Sequence, residues 1–167
     1  MSTLSAHEPV ADHSEYTDTM LTDDELVEGF EAASLSSFPH AEHVRLTIVY
    51  LSRHGREETV RRLFEGLRRF AAAKGVPEKF HVTMTRAWIE LVEDARRRHP
   101  EARDPASLVM ACPELLNRDA LLQFYSPERL KTAEAREGWV PPDRASRIEF
   151  TKQSNIAAGA PGQIDRI

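Results

Sequence analysis

Between Gly55 and Gly75 the chain repeats apolar residues on a helical period, and this stretch limits the fold more than any other. Val60, Leu63, Phe64, Leu67, Phe70 and Ala71 form one stripe, and Arg62, Glu65 and Arg69 lie opposite. Such a stripe leaves water only as an α-helix packed against another element. Start and stop signals divide the rest of the chain in the same way. Thr22-Asp23-Asp24-Glu25 reads as a capping box, which predicts a first helix over about 22–34. Ser36 or Ser37 caps a second helix with Pro39 in its first turn, running to about Arg53 and stopping before Gly55. The striped helix covers about 57–73, and Pro77 starts a fourth over about 77–98 that Pro100 terminates. Pro105, Pro113 and Pro127 open shorter helices at about 105–111, 113–124 and 127–136. Only Ser146–Thr151 shows any strand alternation, and it is too short and isolated to make a sheet. The expectation is an all-α, single-domain bundle of about six helices.

With 167 residues the chain is long enough for one domain with a real core. Residues 1–20 are polar and aperiodic, so a disordered tail is expected there, a helical domain over 21–140, and an extended or disordered tail over 141–167. Trp139 is expected to pack back on the bundle. The net charge of -5 argues against nucleic acid as a partner, because phosphate contacts need clustered cations. Arginines do cluster at Arg61-Arg62, Arg68-Arg69 and Arg96-Arg97-Arg98, but Glu57, Glu58, Glu65, Glu93 and Asp94 interleave with them, as on a solvated helix face. The single cysteine, Cys112, rules out an intramolecular disulfide and a multi-cysteine metal site, and fits a reducing cytoplasm. It is expected in the core rather than as a nucleophile. The N-terminus has acidic residues and no long apolar run, so neither a signal peptide nor a membrane span is expected there.

The second helix carries two histidines one turn apart. At about 100° per residue, His40, His43, Val44, Thr47, Tyr50 and Leu51 share a side, while Glu42, Arg45, Val49, Ser52 and Arg53 share the other. The fourth helix repeats the pattern. His81, Met84, Thr85, Trp88, Leu91, Val92 and Ala95 face one way, with Thr83, Arg86, Glu90, Glu93, Asp94 and Arg97 opposite. The reverse assignment would bury Arg45 or Arg86 without an obvious partner, at considerable cost. Three imidazoles are thus expected to face one core. His54 and His99 end their helices, where a charged imidazole suits the dipole.

Three readings follow. His40, His43 and His81 could present three facial nitrogens to a divalent Zn, Fe, Cu, Ni or Mn ion, leaving open positions for water or substrate. Alternatively, a metal-free pocket uses one histidine as general acid or base for an isomerisation, elimination or cyclisation. In both readings Tyr50 and Thr85 are the candidate catalytic groups, and Phe38, Thr47, Met84 and Trp88 shape the pocket around a small organic substrate. In the third, each histidine is a hydrogen-bonded core residue without chemistry. The sequence favours a small enzyme. A non-catalytic helical interaction module is the contrasting class, which would show an exposed apolar stripe and gain nothing from buried histidines. Homo-oligomerisation stays open.

The stretch Phe38-Pro39-His40-Ala41-Glu42-His43-Val44-Arg45-Leu46 with Tyr50-Leu51, then Phe64-Glu65-Gly66-Leu67-Arg68-Arg69-Phe70-Ala71, then Lys79-Phe80-His81-Val82-Thr83 with Thr85 and Trp88, resembles a family of small bacterial all-helical proteins. The resemblance covers about residues 30–135. It implies a shared site around the His-x-x-His and His-x-Thr elements, and no particular activity. Members of that family often carry Glu at the position of Val82, which projects away from the centre of the core face here.

Overall fold

The computed structural model describes residues 20–149; the tails expected over 1–20 and 141–167 fall largely outside that range. Among the described residues the chain is all α-helical, a single domain with no strand. Six α-helices run α1 (Asp23–Glu31), α2 (His40–Ala73), α3 (Val82–Arg98), α4 (Pro105–Ala111), α5 (Pro127–Leu130) and α6 (Ala133–Glu137). Three 3-10 turns, at Pro77–Lys79, Pro113–Leu116 and Ala120–Gln123, join them.

Helix α1 begins as its sequence predicts. The Thr22 hydroxyl accepts the Glu25 N–H at 3.2 Å, and the Glu25 carboxylate accepts the Thr22 N–H at 2.8 Å. Its Leu26 and Phe30 are fully buried, each contributing about 1.5–3 kcal/mol of apolar burial. Phe30 meets Phe38, Phe70 and Tyr50, so α1 is clamped to both halves of α2 by an aromatic cluster. The second and third expected helices are joined end to end as α2, but Gly55, at φ 74 and ψ -179, breaks the helical path between them. Gly55 thus turns the chain where a stop was expected without a loop being needed. Pro39 is the N-cap of α2 rather than a residue of its first turn, and no serine side chain caps it.

The two-sided projection fails for the first half of α2. Leu46, Ile48 and Val49 are buried as well as Val44, Thr47, Tyr50 and Leu51, so the helix is covered nearly all round. Arg45 can approach this core because Asp23 of α1 accepts its Nε–H at 2.7 Å, the partner the sequence did not reveal. In α3, Leu91, Val92 and Ala95 are buried as projected, but so are Thr83 and Asp94 from the supposedly wet side. Asp94 is held by Arg97 and Arg98 at 3.2 and 2.9 Å. Thr83 donates to the Gly138 carbonyl and accepts the Val140 N–H, tying the chain after α6 to α3. Trp139 packs back as expected, under the Arg86 guanidinium at 4.4 Å. From Pro141 to Glu149 the chain continues without helix and buries Ile148 against the domain.

Two later helices are shorter than their patterns suggest. Residues 113–124 form two 3-10 turns because the Asn117 side chain accepts the Asp119 N–H and interrupts the run. Residues 127–136 divide where Thr132 caps α6 by accepting the Ala135 N–H. Cys112 is buried, as expected of a core thiol, and burial raises its pKa to about 11. No helix among the described residues is long and apolar enough to cross a membrane.

Candidate functional site

The fourth predicted helix begins later than Pro77 suggests, and this changes what His81 does. Pro77–Lys79 forms a 3-10 turn, the chain extends through Phe80, and α3 starts only at Val82. His81 is therefore the N-cap. Its Nδ1 accepts the Met84 N–H at 3.2 Å, which fixes the proton on Nε2, and Nε2 donates to the Leu130 carbonyl at 2.8 Å. Both ring nitrogens serve the fold. Among the described residues, no three or more His, Cys, Asp or Glu side chains are gathered as metal ligands, and the expected trio of His40, His43 and His81 is not such a group.

His40 and His43 are disposed differently. His40 opens α2, packs against the Trp88 ring with centroids 4.5 Å apart, and directs Nε2 to the Leu115 carbonyl at 2.9 Å. His43, one turn on, stacks on Phe38 at 3.9 Å and directs Nε2 to the Phe38 carbonyl at 3.0 Å. A carbonyl only accepts, so Nε2 carries the proton in both rings and Nδ1 keeps its lone pair. No described residue hydrogen-bonds to either Nδ1. Burial lowers the pKa of His40 and brings that of His43 to about 4, with the nearby Arg118 guanidinium adding to both shifts. Both imidazoles are neutral at pH 7.

These rings line a cavity of about 800 Å³ between the two halves of α2, the connection from Val76 to Phe80, and the first half of α3. Of the nine residues singled out in the sequence, His40, His43, His81, Thr85, Phe38, Thr47, Met84 and Trp88 all line it. Tyr50 does not. It shares the face of His43 but lies two turns, about 10 Å, further along the axis. There it is buried under α1 and donates its hydroxyl to Glu31 at 3.0 Å. Desolvation and that carboxylate push its pKa well up, so it holds its proton. Thr85 donates its hydroxyl to the His81 carbonyl at 2.9 Å and Thr47 donates to the His43 carbonyl at 2.8 Å; both brace the helix wall.

Other lining residues were not read as site residues in the sequence, although Leu67 and Phe70 belong to its apolar stripe. Phe70, Leu67 and Phe80 belong to the apolar wall, and Lys74, Lys79 and Arg118 supply charge. Arg118 follows the Pro113–Leu116 turn, and only the docking of that turn brings it beside His40. A second cleft, of about 1030 Å³, lies at the other end of α3 between Arg56, Arg96, Arg103 and Arg147 and the carboxylates of Glu90, Glu93 and Glu149. Its charges are partly spent on each other, as in the pairs of Arg56 with Glu90 and Glu93, and its edge reaches the last described residue. Compared with known proteins, the chain matches no protein-family model, no curated protein and no solved structure.

Proposed function

We propose that this chain is a small enzyme that holds a small organic molecule in the cavity between α2 and α3 and works on it by general acid–base chemistry. One observation carries the reading: two neutral imidazoles with pinned Nε2–H groups and free Nδ1 lone pairs stand in the wall of a largely apolar cavity with a charged rim. Both rings are half-buried and neither Nδ1 is sealed off in the interior, so a molecule held in the cavity can reach these lone pairs. His40 is the better base, since His43 with a pKa of about 4 holds a proton too weakly. In this scheme His40 Nδ1 takes a proton from a C–H or O–H of the substrate. The electron pair left behind moves into a neighbouring carbonyl or expels a leaving group, and the imidazolium returns the proton at a second atom. Isomerisation, elimination and cyclisation all fit. The metal-free form is preferred because the Met84 N–H and the Leu130 carbonyl engage both nitrogens of His81. A single buried cysteine suits a cytoplasmic setting.

The test fills the cavity. Ala71 is half-buried in its wall, so Ala71→Trp should occupy the space with helicity retained. A fragment library screened by ligand-observed NMR should yield compounds that bind the parent chain and are lost from Ala71→Trp. Compounds that bind both proteins equally, or a library with no binders, would overturn the reading. His40→Ala should keep binding within a fewfold, because its part is chemical.

A further inference from the structure

The lining of the same cavity has a one-sided charge, and from it we infer that the ligand is a small organic anion, an apolar body ending in a carboxylate. This deepens the proposed function and rests on it. Phe38, Phe70, Phe80, Leu67, Met84 and Trp88 give the apolar wall. The charged residues of the lining are Lys74, Lys79 and Arg118, all exposed at its solvent side, and no Asp or Glu is among them. That runs against the composition, since the chain has 27 acidic and only 22 basic residues. Lys74, Lys79 and Arg118 have no carboxylate within ion-pair distance among the described residues, so no acidic side chain there offsets the charge they bring to the lining.

Three cations around a low-dielectric wall focus a positive potential into the space between them. The start of α2 adds to it. Pro39 offers no side-chain cap, and Pro39, His40 and Ala41 border the cavity, so the positive end of that helix faces the same space. The two imidazoles are neutral and add no charge to offset this. An apolar cation would meet repulsion here, and a neutral molecule would gain nothing from the three charges. A carboxylate on an apolar body satisfies both wall and rim, and it leaves a proton elsewhere on the molecule within the province of His40.

Calorimetric titration of the full chain with three probes of matched bulk decides the matter: octanoate, octanol and octyltrimethylammonium, each below its micelle-forming concentration, with 1-naphthoate and 1-naphthol as an aromatic pair. The expected result is at least tenfold tighter binding of the carboxylates than of the alcohols, no binding of the cation, and a carboxylate affinity that falls as salt rises from 0.05 to 0.5 M, as on the order of a shorter Debye length demands. Lys74→Glu/Lys79→Glu/Arg118→Glu should bring the carboxylates down to the level of the alcohols, with helicity checked by circular dichroism. Lys74→Gln/Lys79→Gln/Arg118→Gln should lie between that variant and the parent. Equal binding of acid and alcohol, or carboxylate binding unmoved in both triple variants, would overturn the anion while leaving the pocket standing. Failure of every probe to bind would overturn both.

Discussion

At His81 both ring nitrogens are engaged by backbone groups, one from the first turn of α3 and one from the end of α5. Substituting His81→Ala removes the cap and leaves the Leu130 carbonyl without its donor. The cap is worth about 1 kcal/mol and the orphaned acceptor about 1–3 kcal/mol, so urea unfolding should report a loss of about 2–4 kcal/mol. His81→Asn offers an amide oxygen to the Met84 N–H and should recover the cap's share. Unchanged stability in His81→Ala would remove the structural account and return His81 to the chemistry. The sequence placed this ring on the buried side correctly, and His81 is 7 % exposed. It could not give the ring its job, because a cap and an interior residue share one projection and differ only in where the helix begins. Pro77 marked a beginning, but of a 3-10 turn that gives out before His81.

Helix α2 contains two glycines that act through opposite causes. Gly55 adopts φ 74 with ψ -179, a conformation open to almost no other residue, while an added Cβ would meet nothing within 4 Å. Gly66 is helical, but a Cβ there would lie 2.3 Å from the Phe30 ring. Gly55→Ala should therefore cost about 1–3 kcal/mol through the backbone alone, and no neighbouring substitution should relieve it. Gly66→Ala should cost about 1–3 kcal/mol through overpacking, and Phe30→Leu should relieve part of it. A double-mutant cycle read by urea unfolding separates the two: the Gly66–Phe30 pair should couple and the Gly55–Phe30 pair should not. Additive costs at Gly66 and Phe30 would show that the close approach of α1 and α2 is not what requires glycine there. Gly55 was legible in the sequence as a break between periodic segments. Gly66 was not, since the apolar stripe runs past it unbroken and its constraint comes from a ring on another helix.

Across the whole molecule, the three histidines at the α2–α3 cavity bias folding toward the neutral imidazole. Burial lowers the pKa of each, to about 4 at His43 against 6.5 for the ordinary group. The unfolded chain therefore takes up protons first as pH falls. Stability from these groups is complete above about pH 6.5 and is lost progressively as pH drops toward their folded values. His43 alone should remove about 2 kcal/mol between pH 7 and pH 5. Urea titrations at those two pH values should show the parent weakening by at least that amount and His43→Gln by distinctly less. A parent whose midpoint does not move would mean that the His43 ring is solvated or carries its proton in the fold.

The amino-acid order by itself determined the helical class, the capping box at Thr22, the break at Gly55, α4 from Pro105 to Ala111, and the faces that bring His40, His43, Met84, Thr85 and Trp88 to one cavity. These follow from local periodicity and from groups at most four residues apart, which a linear reading can weigh. Tertiary structure alone decided the rest. Asp23 reached Arg45 across two helices, Thr83 was buried to hold the chain at Gly138 and Val140, and Tyr50 turned to Glu31. Docking of the Pro113–Leu116 turn brought the Leu115 carbonyl to His40 and Arg118 to the cavity. Each of these joins groups from different elements, and the energy that selects such a contact exists only once the elements have packed.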